Sequence, residues 1–114
     1  MRREDRDRAY LWDMRDFARQ AHKLVRRVTF DRLSKDAMRR LALERSLELL
    51  GEAARRVGED VRRAYPRIEW RALIGQRNVL AHDYGEIDQR RLYDSARVKV
   101  PLLLADLDRI LGEP

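Results

Sequence analysis

Leu43-Glu44-Arg45-Ser46-Leu47-Glu48-Leu49-Leu50-Gly51-Glu52-Ala53-Ala54-Arg55-Arg56-Val57 decides the fold. Leu43, Leu47, Leu50, Ala54 and Val57, with Val61 beyond, recur at nearly heptad spacing. That period places them on one stripe of an α-helix and suits packing in a bundle. Leu49 and Ala53 widen the stripe. Gly51, Ala53 and Ala54 are small and let a neighbouring helix come close. The pattern predicts one long helix from Lys35 to Tyr65. Gly58 lowers helix propensity by about 1 kcal/mol relative to Ala, so a bend is expected there. Pro66 ends the helix, because it restricts Tyr65 and lacks the next amide donor.

Three more helices flank this one. Leu11, Met14, Phe17 with Ala18, Ala21, Leu24 with Val25, and Val28 form one stripe, which predicts a helix from Arg6 to Val28. The segment from Thr29 to Leu33 reads as a connection, and Ser34 or Asp36 can cap the long helix after it. Trp70, Leu73, Ile74, Leu80 and Ala81 give a short helix from Trp70 to His82 or Tyr84, closed by Gly85. Asp88 can cap a last helix running to Leu111. Pro101 removes one hydrogen bond near its middle, so a kink is expected. Leu92, Ala96, Leu103, Leu107 and Ile110 form one stripe on it. Val100, Leu104 and Leu111 form a second. No strand pattern competes. The expected fold is all-α, an antiparallel helical bundle, with residues 1–114 as a single domain. Two apolar faces on one helix exceed what a small bundle needs, and surplus apolar surface predicts a homodimer.

Composition narrows the function. A chain of 114 residues suffices for one core. No apolar run approaches the roughly 20 residues that span a bilayer. The opening Met1-Arg2-Arg3-Glu4-Asp5-Arg6-Asp7-Arg8 has no apolar segment of a secretory signal, so a cytoplasmic location and no membrane partner are expected. The absence of cysteine excludes disulfides, thiolate zinc sites and cysteine nucleophiles. Net charge is +6 and the pI about 10.3, which suits a polyanionic partner. Acidic residues are interspersed throughout, however, so the same charge also fits an ordinary solvated surface.

The chemistry concentrates in Arg77-Asn78-Val79-Leu80-Ala81-His82-Asp83-Tyr84-Gly85. A guanidinium binds phosphate in two places. An imidazole moves a proton near neutral pH. Asn78 and His82 are four apart and share a helix face, so the Asn78 amide can hold one imidazole nitrogen. Arg77 and His82 lie about 140° apart at roughly 100° per residue, flanking a groove. Two copies about a two-fold axis would bring two Arg and two His to one cleft. RNA transesterification needs a base for the 2′-hydroxyl, an acid for the leaving 5′-oxygen and positive charge for the phosphorane. The bland alternatives stay open. Arg77 can pair with Glu44 or Glu52, His82 can sit at the negative end of the helix dipole, and Tyr84 can be a core residue. His22, Trp12 and Trp70 read as structural. No phosphate loop, metal-ligand cluster or serine triad is present, so no cofactor and no metal are expected.

These residues resemble the Arg-x-x-x-x-His-x-Tyr motif of the HepT family, within the HEPN (higher eukaryotes and prokaryotes nucleotide-binding) superfamily. Leu47–Arg56 is similar to that family's long-helix signature, and Tyr65–Arg71 to the segment entering its active-site helix. Pro101 and the following leucines match the last helix. The first 35 residues match in pattern only. The resemblance implies a four- to five-helix homodimer with a composite cleft. It also implies a metal-independent RNA endonuclease, the toxin of a type VII-like toxin–antitoxin pair. Arg77 and His82 would then be catalytic, with Asn78 and Asp83 supporting them. Tyr84 would be the residue to which a minimal nucleotidyltransferase antitoxin, MntA-like, attaches AMP. Two other functions stay in play: a non-catalytic helical partner that presents substrate to such a nucleotidyltransferase, and a plain nucleic-acid-binding dimer.

Overall fold

A computed structural model describes residues 2–82 and 87–112. Helix α1 spans Arg3–Val25 and buries Leu11, Met14, Ala18, Ala21 and Val25, the stripe expected from the sequence. It stops three residues short of Val28. The segment that reads as a connection contains a helix of its own, α2, Phe30–Ser34. Thr29 caps it by accepting from the Arg32 amide at 3.2 Å, and the fully buried Leu33 pins it to the core. Tertiary burial of one leucine thus stabilises a turn that local pattern does not show.

Helix α3 spans Ala37–Arg56. Its cap is Asp36, whose carboxylate accepts from the Arg39 amide at 3.0 Å. That backbone donor, more than the Arg39 side chain, holds the Asp36 carboxyl below its ordinary range. Leu43, Leu47, Leu50, Ala53 and Ala54 are buried as the spacing requires. The predicted single long helix is in fact two. Backbone at Val57 is extended, and α4 runs from Glu59 to Ala64. Gly58 does more than bend the chain: its amide donates to Asp7 Oδ1 on α1 at 2.9 Å. That bond withdraws the amide from the helix ladder, so the weak position becomes a break.

Helix α5 spans Trp70–His82. Asp88 caps α6, Gln89–Asp94, accepting from the Arg91 amide at 3.1 Å. The last helix continues through one π-helical turn, Ser95–Lys99, into α7, Val100–Leu111. The kink expected at Pro101 is therefore resolved differently. The Val100 amide reaches back five residues to the Ser95 carbonyl, and Pro101 falls in the first turn of α7. Widening the preceding turn accommodates a ring that would clash with the carbonyl four residues back.

Among the described residues the chain is all-α, seven α-helices and one π-helical turn in place of the four helices read from sequence. Helix α1 packs against α3 and α7, and α5 lies on α3. The Tyr93 hydroxyl donates to the Val28 carbonyl and ties α6 to the link between α1 and α2. Arg15 is wholly buried, 3.9 Å over the Trp12 ring and 3.3 Å from Asp108, so its charge is compensated inside the core. The second stripe of the last helix is not surplus: Val100 and Leu111 are buried and Leu104 is half-buried. The apolar side chains left to solvent are others, among them Val98 in the π-helical turn, Leu102 at the start of α7, and Met38 and Leu41 on α3. No described helix is long and apolar enough to cross a membrane.

Candidate functional site

The site begins with a missing side chain. A Cβ at Gly51 would stand 2.3 Å from the Arg77 Cβ and 2.6 Å from the Leu73 carbonyl oxygen. Helices α3 and α5 therefore touch backbone to side chain, and only glycine fits between them. Arg77 leaves α5 at this contact. Its stem is trapped against α3 while its head runs along the surface, and the side chain is 24% exposed.

Glu52, the next residue on α3, holds the head. Arg77 Nε lies 2.9 Å from Glu52 Oε2. The N–H is not aimed to donate a hydrogen bond, so the attraction is that of an ion pair. Arg77 Nη1 donates to Asn78 Oδ1 at 3.0 Å. A guanidinium has five donors; with Nε buried against Glu52 and one Nη1 proton given to Asn78, the three others on the Nη atoms remain for a ligand. Glu52 also accepts from Arg55 Nη2 at 2.7 Å and from Arg56 Nε at 3.0 Å. One carboxylate thus serves three guanidiniums, and the cluster keeps excess positive charge. Of the two acidic candidates for Arg77, the structure selects Glu52; Glu44 accepts from Gln89 instead, at 2.8 Å.

The hydrogen bonds from Arg55 and then Arg56, with the nearby charges of Arg55 and Arg77, pull the Glu52 carboxyl from its ordinary 4.5 down to about 2. A folded-state value below the unfolded one stabilises the fold above pH 4.5, and the contribution is lost as pH falls through about 2. Glu52→Gln should therefore reduce stability at neutral pH by about 2 kcal/mol, discounted for solvent at a partly exposed group. Denaturant titrations should show the variant and parent converging as pH drops from 4.5 to 2. A constant gap across that window would remove the assigned ion-pair role.

His82 is the last residue of α5 and is exposed. It makes no hydrogen bond or ion pair among the described residues. The expected bond from the Asn78 amide to its ring is absent; the Asn78 oxygen accepts from Arg77. Arg77, Asn78 and His82 thus share one helix, with Arg77 anchored and His82 free. Asp83 and Tyr84, also named from the sequence, lie outside the described residues, as does Gly85. What the sequence reading missed is the positioning role of Gly51. The small residues on α3 were visible, but which side chain they admit depends on the register of α5.

The ribonuclease HepT-like family matches residues 14–110. A Methanocaldococcus jannaschii protein named as a candidate RNase, MJ0127, is 31% identical over 106 residues, covering 93% of this chain and 88% of the relative. A second from that organism, candidate RNase MJ1380, is 29% identical and covers 89% of this chain and 93% of the relative. A Thermococcus cleftensis protein provisionally named ribonuclease HepT is 28% identical, covering 96% and 98%. No solved structure matches.

Proposed function

The chain belongs to the ribonuclease HepT-like family and is a ribonuclease of that family, and from this we propose that it cuts RNA without a metal, using Arg77 and His82. The observation that carries the assignment is the anchored Arg77, fixed by Gly51 and Glu52 with donors to spare, on the same helix as a His82 that is exposed and unengaged among the described residues. In the proposed reaction a base removes the ribose 2′-hydroxyl proton. The 2′-oxygen attacks phosphorus, the bond to the 5′-oxygen breaks, and an acid protonates that oxygen. The products are a 2′,3′-cyclic phosphate and a 5′-hydroxyl. Arg77 neutralises the charge that develops on the phosphorane. Asn78 and Asp83 support the pair.

One chain supplies one His82, and the reaction needs a base and an acid. We therefore propose a homodimer of single HEPN-like domains, residues 1–114, in which two His82 side chains share the roles. The exposed Val98 and Leu102 support a self-association surface on the last helix. The proposal extends to a toxin–antitoxin role in the cytoplasm, with a minimal nucleotidyltransferase as partner. That partner would add AMP to Tyr84 and bring bulk and negative charge to the phosphate site.

The test is turnover of end-labelled RNA by purified protein in EDTA. Fragments ending in 2′,3′-cyclic phosphate and 5′-hydroxyl are expected. Fragments with 3′-hydroxyl and 5′-phosphate ends, or cleavage that stops in EDTA, would overturn the mechanism.

A further inference from the structure

A second basic feature lies beside the motif and plays no part in the proposed cleavage chemistry. Helices α4 and α5 enclose an open groove of about 520 Å³. Trp70 and Ile74 line it with apolar surface, Arg62 enters from α4 and Arg71 from α5, and Asn78 stands at one end. Asn78 is the residue that accepts from Arg77, so the groove runs up to the anchored guanidinium. Arg71, Gly75, Asn78 and His82 are spaced four, three and four residues apart, which puts them on one face of α5. The groove and His82 therefore share a single track along the helix.

The groove's charged lining is Glu59, Arg62, Arg63 and Arg71, and two of its guanidiniums are unspent among the described residues. Arg63 is paired with Glu59 at 3.0 Å. Arg62 and Arg71 make no ion pair among the described residues, and Arg62 Nε is buried with no hydrogen-bond partner. Gly75 adds a second sign. It sits inside a helix, where glycine is disfavoured, yet a Cβ there would meet nothing within 4 Å. Packing does not require this glycine, unlike Gly51. Its effect is to keep the groove bare.

We propose that the α4–α5 groove is a phosphate-backbone subsite, in which Arg62 and Arg71 hold the single-stranded RNA flanking the bond to be cut. The inference rests on the ribonuclease reading of α5. Two guanidiniums with no ion pair among the described residues suit phosphate oxygens, and the apolar lining suits ribose and base faces, as in sequence-tolerant single-strand binding.

The test is equilibrium binding of a short fluorescein-labelled single-stranded RNA to the full chain carrying His82→Ala, across a salt series. Each phosphate contact contributes about 0.7 to the slope of log affinity against log salt. Adding Arg62→Ala and Arg71→Ala should weaken binding by about tenfold at moderate salt and lower the slope by about 1.4. Arg26→Ala with Arg27→Ala, exposed cations at the end of α1, is the control and should change it far less. Gly75→Leu separates folding from binding: it introduces a better helix former, so the thermal midpoint should hold or rise while RNA affinity falls. Parental binding by the Arg62/Arg71 variant or by Gly75→Leu overturns the subsite, as does an equal loss in the control. Retained RNA binding with lost binding of a purified nucleotidyltransferase would reassign the groove to a protein partner and also overturn it. A parent chain that binds RNA through the groove without cutting it would defeat the cleavage mechanism and leave the subsite standing. A parent that cuts RNA, with binding indifferent to the groove, does the reverse.

Discussion

Arg77→Ala and His82→Ala should each lower RNA cleavage by a factor of about 10² to 10⁴ and leave the fold intact. Losing one preorganised charge on a developing oxyanion costs about 10²–10³ in rate. Losing a general acid or base costs about 10²–10⁴. If two His82 side chains share acid and base roles, a single substitution removes both, and the losses do not add with that of Arg77. Stability should change little in either case. His82 is exposed, and its side chain makes no hydrogen bond or ion pair among the described residues. Arg77 is one of three guanidiniums around Glu52, so its removal leaves that carboxylate paired with Arg55 and Arg56. Arg77→Lys should recover little, since an ammonium cannot make the two-pronged phosphate contact. Rates on labelled RNA, with circular dichroism and thermal midpoints beside them, are the measurement. A variant at either position that cuts at the parental rate would displace it from the mechanism.

The sequence made some of this legible and hid the rest for definable reasons. The stripes on α1 and α3 were readable because burial on one face leaves a period. The caps Asp36 and Asp88 were readable because a short acceptor before an apolar run has few other uses. Helix α2 was hidden because a single buried leucine leaves no period. The break at Gly58 was hidden because it depends on Asp7, 51 residues away. The π-turn before Pro101 was hidden because a proline announces a lost donor but not which turn absorbs it. The same division runs through the site. Arg77, Asn78 and His82 could be named from spacing, yet Asn78 holds Arg77 and not His82, a rotamer choice that spacing does not determine. Glu52 was one of two acidic candidates, and only the packing of α5 on α3 decides between them.

That packing yields the sharpest separation of structure from activity, because α3 and α5 each carry an interior glycine and the two should respond with opposite sign. At Gly75 there is open space, so Gly75→Ala should gain about 1 kcal/mol from helix propensity alone. At Gly51 the same intrinsic gain meets a Cβ placed 2.3 Å from the Arg77 Cβ and 2.6 Å from a backbone carbonyl. A carbonyl in a helix cannot swing away as a flexible side-chain tip can, so α5 itself must move. Overpacking of this kind costs about 1–3 kcal/mol, and Gly51→Ala should therefore come out net destabilised, by up to about 2 kcal/mol. The effect on cleavage should be larger than the effect on stability. Arg77 carries the clash, and a displacement of about 1 Å at a positioned group can cost about 10²-fold in rate. Gly51→Ala should thus remain folded at room temperature while losing most of its RNA cleavage, with the loss in kcat and not in KM. Gly51→Leu should fail on both counts. Chemical denaturation of the two alanine variants beside their single-turnover rates reads the comparison directly. Full activity in Gly51→Ala would mean that the α3–α5 contact does not set the position of Arg77, and the anchoring of the site would have to be sought in Glu52 alone.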